Sequence, residues 1–490
     1  MVRLLLIWAL GGLLAGAARA QSPVYLPYYS KDTAQVYQLA VTHRDAVTSY
    51  LAVPKTGSSD YRDHYRRVVQ EASTDLYNSV RYSALLDPVL EPYVQQVFGR
   101  ILKANPQLPA VRLVLSRNPE PNARAVGIST VVLNLGLLPR LENESQLAFV
   151  LCHELAHVQA RHMETGLHER LTVLHSKELR RQVKSIINSE YNISSQIKAL
   201  ALGFTLNATY HHRRYEKQAD SLGYVLLGRT AYEAPQAYRA LQLLDKMNEP
   251  DAAEPLALPT YLSCAAFPQT FATAPAKSAS IFNVQKVETV LETTDTLKTH
   301  PDCAKRMGFL RTLAQGRVAE GPQPSPTPEF ARIQQVSRFE IVQSWFDYDC
   351  YDHALYEALQ LLPQQPQNTY LHSIIVLSLY ELRQHLQNHT FTEVVSNISP
   401  RNAPQFNDLL YALHGLHYDD FKGLTACFAE AVGPLPATDE YAVAARYAAS
   451  ALGQQPETAA ALKAQYQSQF AKGKFDQLLF PAPKAPAKRR

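Results

Sequence analysis

The sequence predicts a mainly helical α+β domain with a small β-sheet, followed by an all-α domain that resembles helical repeats. Three observations support this fold class. The chain has 490 residues, 46% hydrophobic and 19% charged, as in globular proteins with room for about two or three domains. Its first half holds two short β-branched runs, "AVRLVLS" and "AVGISTVVLNLG", between segments with helical spacing. After the proline-rich stretch "EGPQPSPTPEF" the pattern is helical throughout.

The first twenty residues have the features of a cleaved export signal. Arg3 gives a positive start, "LLLIWALGGLLAG" is an apolar run too short to span a bilayer, and "ARA" offers a cleavage site after Ala20. The first cysteine is Cys152, far from that site, which argues against a lipid anchor. We therefore expect an exported protein, periplasmic or secreted, with no transmembrane segment in the mature chain.

The net charge limits the classes of binding partner, and the cysteine content limits the possible disulfides. The net charge of +4 is small, and no basic cluster with interleaved aromatic residues occurs, so no nucleic-acid partner is expected. Five cysteines in an exported chain permit disulfides and leave one over. Cys152 lies in an apolar helical run and is expected in the core. From sequence order alone, the suggested pairs are Cys264–Cys303 and Cys350–Cys427.

Several helices and strands of the first half can be predicted from the residues at which they begin. "LLDPVLEPYVQQVFGRILKA" places a proline near a helix start, and the two β-branched runs that follow predict strands. Asn143 then caps a buried helix, "LAFVLCHELAHVQARH", with Gln146 three residues later as in a capping box. Further helices are predicted across 163–210, from Arg213 onward and in "APQAYRALQLLDKM". Residues 248–298 are rich in Pro, Ala, Thr and Ser, which predicts a long loop.

The second half divides at the proline-rich linker. Beyond it, "YDHALYEALQLLPQQPQN" places Tyr351, Ala354 and Ala358 at the spacing of a tetratricopeptide helix, while a helical bundle of no repeat family is the alternative. The predicted domains are a signal peptide (1–20), a helical extension (21–75), a domain that contains the buried helix (76–319), a linker (320–330), a tetratricopeptide-like domain (331–475) and a basic proline-rich tail (476–490).

Two histidines and a glutamate in the buried helix form an HExxH motif. His153 and His157 are four residues apart, so their side chains lie on one helix face and can reach one metal ion. Glu154 points to the neighbouring side, close enough for a water on that metal. Buried imidazole and carboxylate groups are costly without partners, which favours a metal site over an ordinary core helix.

A zinc site needs a third protein ligand, and the sequence offers several candidates. Ala160 and Met163 stand where a metzincin would have Gly and His, so that class is excluded. In "HHRRYEKQADSLG", Glu216 can coordinate zinc, and Asp220 one turn later can accept a hydrogen bond from a ligand histidine. His211 and His212 compete as ligands but have no useful spacing. His162 is expected off the ligand face, either at the helix end or in contact with a ligand residue.

With these motifs the chain resembles the gluzincin family of the CAAX prenyl endopeptidases, HtpX and the BepA-like proteases. The resemblance covers about residues 77–312 and includes "LLDP", "NARAVGISTVVLNLGLL", "ESQLAFVLCHELAHVQARH", "RRYEKQADSLG" and "THPDCAKRM". The transmembrane helices of the prenyl endopeptidases and HtpX have no counterpart, so the likeness is to the exported branch, some of which carries tetratricopeptide repeats. Near the cleft the chain departs from the family pattern at His212, at Arg124 and in "VGIST".

The resemblance implies a role for each matching residue. His153, His157 and Glu216 would bind one Zn²⁺ per chain, and Glu154 would be the general base. The remaining implied positions are Asp220 beside the ligands, His300 at the oxyanion, Arg306 after it, and a substrate-pairing strand at Gly127, Ile128, Ser129 and Thr130.

The sequence thus predicts an exported zinc metalloendopeptidase that hydrolyses proteins or peptides in envelope or secreted protein quality control. Its helical C-terminal domain would choose protein partners, and the 163–210 segment would cover the cleft. The alternative is a helical-repeat scaffold or chaperone with a latent metal site.

Overall fold

A computed structural model describes most of the chain between residues 27 and 481. The described residues are 27, 33–50, 54–55, 57–127, 129–187, 213–247, 258–265, 267–268, 303–321, 323, 325–400, 402–430 and 439–481. The predicted signal peptide, the second half of the 163–210 segment, most of the 248–298 loop and most of the basic tail therefore lie outside the described residues.

Two N-terminal helices cover one face of the sheet. Helices α1 (Thr33–Tyr50) and α2 (Ser59–Ser83) pack along each other, and the Ser58 side chain caps α2 by accepting the Tyr61 N–H. Their buried side chains form a cluster with the sheet residues Val114, Val126 and Val132. Helix α2 continues through residue 76, where the sequence predicts the start of the catalytic domain, so that boundary lies inside a helix.

The sheet has three strands in the described residues, and its order differs from the chain order. The strands are β1 (Arg112–Ser116), β2 (Ala123–Val126) and β3 (Thr130–Asn134), with β3 in the middle. β3 pairs in parallel with β1 and antiparallel with β2. The predicted mainly helical fold with a small sheet is confirmed.

The other face of the sheet packs against most helices of the N-terminal half, whereas Leu167 and Leu171 join the cluster of the two N-terminal helices. Helix α3 (Leu90–Ala104) precedes β1, and a 3₁₀ turn (Leu135–Arg140) follows β3. Then come α4 (Glu144–Gln159), α5 (His162–Leu174), α6 (Lys177–Ile187), α7 (213–228), α8 (Gln236–Lys246), α9 (Leu258–Tyr261) and α10 (Cys303–Leu313). Helix α4 is buried along nearly its whole length, which confirms the predicted buried helix.

The start of α4 follows the predicted cap with one difference. The Asn143 side chain accepts the Gln146 N–H at 3.1 Å, as an N-cap does. The Gln146 side chain, however, accepts the N–H of Glu142 at 2.7 Å and not that of the cap residue. The Asn143 contact satisfies a backbone donor that the first turn of a helix leaves free, and the Gln146 contact holds the residue before the cap.

A long helix, α11 (Pro328–Asp347), joins the two halves of the molecule. Its first half places Phe330 and Ile333 in the core around α3 and α4, and its second half places Phe339 and Val342 in the C-terminal core. The predicted extended linker 320–330 is therefore corrected, because its last three residues are helical. Thr327 caps this helix, and proline at the first helical position favours its start.

The C-terminal half is all helical, as predicted. Its helices are α12 (Tyr351–Leu361), α13 (Thr369–Gln387), α14 (Phe391–Val394), α15 (Pro404–Gly415), α16 (Asp420–Ala429), α17 (Glu440–Leu452), α18 (Pro456–Gln469) and α19 (Asp476–Leu479). Helix α13 lies at the centre, packed against α12, α16 and α17. The tetratricopeptide assignment stays a prediction.

One disulfide links the halves and corrects the suggested pairings. Cys264 is bonded to Cys427, while Cys303 and Cys350 form no disulfide. The segment around α9 packs its apolar side chains into the C-terminal core, which carries Cys264 to α16. Within the described part of the chain, no helix combines the length and the hydrophobicity needed to cross a bilayer.

Candidate metal centre

Helix α4 holds the two motif histidines in one place. The Nε2 atoms of His153 and His157 face each other at 3.1 Å, as one helical turn between them requires. His153 is almost fully buried and lies against the Phe149 ring. The apolar side chains of α4 around them belong to the domain core, so the histidine pair has a rigid base.

Helix α7 brings a carboxylate to the same point. Glu216 lies 3.5 Å from His153 Nε2 through one oxygen and 3.4 Å from His157 Nε2 through the other. The two helices approach closely at Gly223, where an added Cβ would be only 3.0 Å from the His153 Cα. The three expected ligand side chains therefore meet, with their ligand atoms within 4.8 Å of one another.

This donor set fits a zinc ion. Zinc binds imidazole nitrogen at about 2.0–2.1 Å and carboxylate oxygen at about 2.0–2.2 Å, in tetrahedral geometry. Ligand atoms around such an ion are spaced as the three groups of this cluster are, at 3.1–3.5 Å. Two imidazoles and one carboxylate leave a fourth position for water, which is typical of catalytic zinc sites.

A buried ion pair braces the first histidine. Arg306 on α10 donates from Nε and Nη2 to the two carboxylate oxygens of Asp220, each at 2.7 Å. Its Nη1 lies 3.0 Å from Glu216. Asp220 in turn lies 3.0 Å from Nδ1 of His153, the nitrogen that faces away from the other ligands. Asp220 can accept a hydrogen bond from the Nδ1–H and so keep Nε2 unprotonated and free for a metal.

These contacts set the charge of the centre. Burial raises the pKa of Asp220, but the Arg306 guanidinium outweighs it and holds the pKa at about 2. Burial lowers the pKa of His153, but hydrogen bonds to Asp220 and Glu216 raise it to about 10. The carboxylates thus favour positive charge at the histidine nitrogens, which is the condition a bound cation needs.

His162 lies beside the second histidine, which is one of the two positions expected for it. Its Nδ1 is 2.8 Å from Nδ1 of His157, and its Nε2 is 3.1 Å from the Gln218 side-chain oxygen. The spacing argument assumed one continuous helix. Helix α4 ends at Gln159, and Arg161 adopts a left-handed conformation, so the chain turns before His162. Gln218 carried no recognisable signal.

A cleft runs past the cluster between α4 and the edge of the sheet. It is open to solvent and is lined by Glu154, His157, Glu216, residues 122–125 and Gly127. Glu154 also lines an adjoining cavity with His153 and Arg306. The expected general base therefore stands at the cleft, next to the cluster of possible ligands.

The strand that borders the cleft is β2, which corrects the expected substrate strand. Thr130 lies in β3 and is paired on both sides, with Arg112 and with Val126, so it cannot accept another strand. Gly127 and Ser129 form the turn before it, and the Gly127 N–H is donated to the Met163 sulfur at 2.9 Å. Among the described strands, the one at the edge of the sheet on this side is β2.

Two expected site residues, His300 and Ile128, lie outside the described residues. The competing ligands His211 and His212 lie outside them as well.

The half of the chain that holds this cluster is similar to known peptidases. The sequence profile of peptidase family M48 matches residues 88–314. The chain is 30% identical over 172 residues to a beta-barrel assembly-enhancing protease of Yersinia pestis, which covers 34% of this chain and 35% of that protein. It is 27% identical over 186 residues to the mitochondrial metalloendopeptidase OMA1 of Schizosaccharomyces pombe, covering 36% and 51%.

A shorter alignment has a higher sequence identity. The chain is 42% identical over 79 residues to a protease HtpX homolog of Pelotomaculum thermopropionicum, covering 15% of this chain and 27% of that protein. The matches to the Yersinia and Schizosaccharomyces proteins span about a third to a half of those relatives' own lengths.

Proposed function

We propose, from the match of residues 88–314 to peptidase family M48, that the protein is a zinc-dependent metalloendopeptidase. His153, His157 and Glu216 are the proposed ligands of one zinc ion. The observation that carries the proposal is the meeting of these three side chains from two helices, 3.1–3.5 Å apart, at the wall of a cleft. Asp220 and Arg306 keep two of the ligands in place.

The proposed chemistry is general-base hydrolysis of a peptide bond. Zinc in a site with three protein ligands activates water and polarises a carbonyl. Glu154 takes the proton of the attacking water and delivers it to the leaving amine, as a carboxylate at this position can. The walls around Glu154 include the apolar side chains Phe149 and Leu137, which limit access of other water. A role of His300 at the oxyanion stays a prediction.

The proposed substrate is an extended protein segment that adds to β2. Asn134 donates its N–H to the Asn122 carbonyl at 2.9 Å, and hydrogen-bonded pairs alternate along antiparallel strands. The backbone groups of Ala123 and Ala125 therefore point away from β3, toward the cleft. A strand that pairs there through its backbone tolerates many side chains, which suits an endopeptidase of broad specificity.

The wider role that we propose is envelope or secreted protein quality control. One relative is named a beta-barrel assembly-enhancing protease, and the expected signal peptide favours export to the periplasm or beyond the cell. The helical C-terminal domain is the proposed contact for protein partners. A scaffold with a latent metal site is the competing function.

Metal analysis and a casein cleavage assay test the proposal together. We expect one zinc per chain, cleavage by the wild type, and loss of cleavage with full zinc content in Glu154→Gln. Glu216→Ala should lose the metal. Zinc binding without any cleavage, with Glu154→Gln behaving as wild type in cells, would establish the scaffold function instead.

A further inference from the structure

We propose that His162 is a positioning residue that fixes the proton and the ring orientation of the ligand His157. The inference rests on the proposed metal site. The hydrogen-bond partner of His157 would then be the neutral side chain of His162, whereas the partner of His153 is the carboxylate of Asp220.

The hydrogen-bond directions follow from the demands of the metal. His157 can bind zinc through Nε2 only if Nε2 carries no proton, so its Nδ1 must carry the proton. The atom 2.8 Å from that Nδ1 is Nδ1 of His162, which must then act as the acceptor. His162 in turn carries its proton on Nε2, 3.1 Å from the side-chain oxygen of Gln218. Each nitrogen in this chain of contacts has one possible role.

The His162 ring is held in place by packing as well. It is 5% exposed and stacks on Tyr215, with ring centroids 4.5 Å apart and 24° between the planes. The Tyr215 hydroxyl donates to Glu169 at 2.5 Å, and this contact anchors the ring on the far side. A fixed ring with a lone pair aimed at His157 reduces the freedom of the ligand before the metal arrives.

The two ligand histidines therefore have unlike partners. His153 faces Asp220, whose negative charge is offset by Arg306 at 2.7 Å. His157 faces His162, which brings no charge when it is the acceptor. A carboxylate at both places would add a second buried negative charge without a cation beside it, which is costly. A neutral acceptor orients His157 without that cost.

Two substitutions at His162 separate hydrogen bonding from shape. His162→Phe keeps a ring for Tyr215 and removes the acceptor. His162→Asn puts a carbonyl oxygen near the position of Nδ1, so it restores the acceptor. His168→Phe, on the same helix but bonded to Tyr61 instead, is the matched control.

The measurements are zinc affinity by competition with a chelator and the visible absorption spectrum of the cobalt-substituted protein. We expect His162→Phe to bind zinc about 10- to 100-fold more weakly and to show an altered cobalt spectrum. His162→Asn should recover most of the affinity, and His168→Phe should match the wild type. Circular dichroism melting monitors folding in every variant.

Wild-type zinc affinity and an unchanged cobalt spectrum in His162→Phe would overturn the proposal. So would equal losses in the Phe and Asn variants, because the acceptor would then be irrelevant. If His162→Phe fails to fold, the comparison of His162→Asn with wild type decides, since loss of affinity there contradicts the proposal. A wild-type protein that binds zinc but cleaves nothing would contradict the peptidase function and leave this inference standing.

Discussion

At the residue scale, the centre depends on how closely α7 approaches α4. The approach occurs at Gly223, and we predict that Gly223→Ala weakens zinc binding and lowers the free energy of unfolding by about 1–3 kcal/mol. A Cβ there would press on the backbone of His153 at 3.0–3.1 Å, and backbone atoms cannot move aside as a flexible side chain can. Urea unfolding and a zinc competition assay measure the two effects.

Gly228 provides the matched control on the same helix. A Cβ added at Gly228 meets nothing within 4 Å, so Gly228→Ala should leave zinc affinity unchanged. It should also stabilise the helix slightly, by up to about 1 kcal/mol, because alanine is the better helix former. If the two variants had the same zinc affinity and stability, the close contact with His153 would not be the reason for glycine at position 223.

A second residue-scale prediction concerns pH. Burial and the nearby charge of Asp349 raise the pKa of Glu381 in α13 from 4.5 to about 8. Between these values the folded protein keeps a proton that the unfolded chain has lost, so the stability from this group falls as pH rises from about 5 to 8. Each pKa unit corresponds to about 1.4 kcal/mol, which predicts a loss of roughly 2–4 kcal/mol for this group.

Glu381→Gln tests this directly, because glutamine does not titrate. Denaturant unfolding at several pH values between 5 and 9 should show a flatter dependence in the variant than in the wild type. Parallel curves for the two proteins would mean that Glu381 is not the group responsible.

The sequence could predict single site residues where a motif fixed their spacing. The HExxH spacing predicted that His153 and His157 lie side by side. The spacing of one helical turn likewise predicted that Glu216 and Asp220 lie on the same face. For His162 the sequence left two positions open, because the choice depends on where α4 ends and on the left-handed Arg161. Spacing rules hold only within one continuous helix.

At the scale of elements, the edge strand β2 carries the next prediction. We expect Ala125→Pro to lower kcat/KM for long peptides about 10-fold, because proline removes an N–H that faces the cleft and not the β3 ladder. Zinc content should stay at one per chain. Peptidase assays with a long and a very short peptide measure the effect, which should be weaker for the short one.

Ala125→Val is the matched control, since it keeps the N–H and suits a strand. If valine and proline reduce cleavage equally, the cause is side-chain bulk and not the backbone donor. The sequence identified both β-branched runs but not which strand would be at the edge. Short apolar runs predict that strands exist, whereas their order depends on contacts between distant segments.

At the scale of the whole molecule, the Cys264–Cys427 bond closes a chain separation of 163 residues. Replacing both cysteines with serine should destabilise the protein by about 2–5 kcal/mol, because the unfolded chain gains freedom. Calorimetry of the oxidised wild type and the double variant measures the loss. Cys350→Ser, which removes a free cysteine, is the control and should melt close to the wild type.

Sequence order gave the wrong partners for these cysteines for a physical reason. The suggested pairs joined neighbours along the chain, within each predicted domain. Instead, the segment that holds Cys264 packs against the C-terminal core, because its apolar residues Leu258, Leu262 and Phe267 are buried there. Which domain a short segment packs against is decided by the shape of both cores, and one sequence does not show it.

Helix α11 has a consequence for how the molecule unfolds. Phe330 belongs to the core of the first half and Phe339 to that of the second, with fewer than three helical turns between them. If either core unfolds, α11 loses its contacts there, and the other core then loses the buried surface that α11 provides. We therefore expect the two halves to lose their structure in one cooperative transition, and a chain cut before α11 to lack part of the catalytic core.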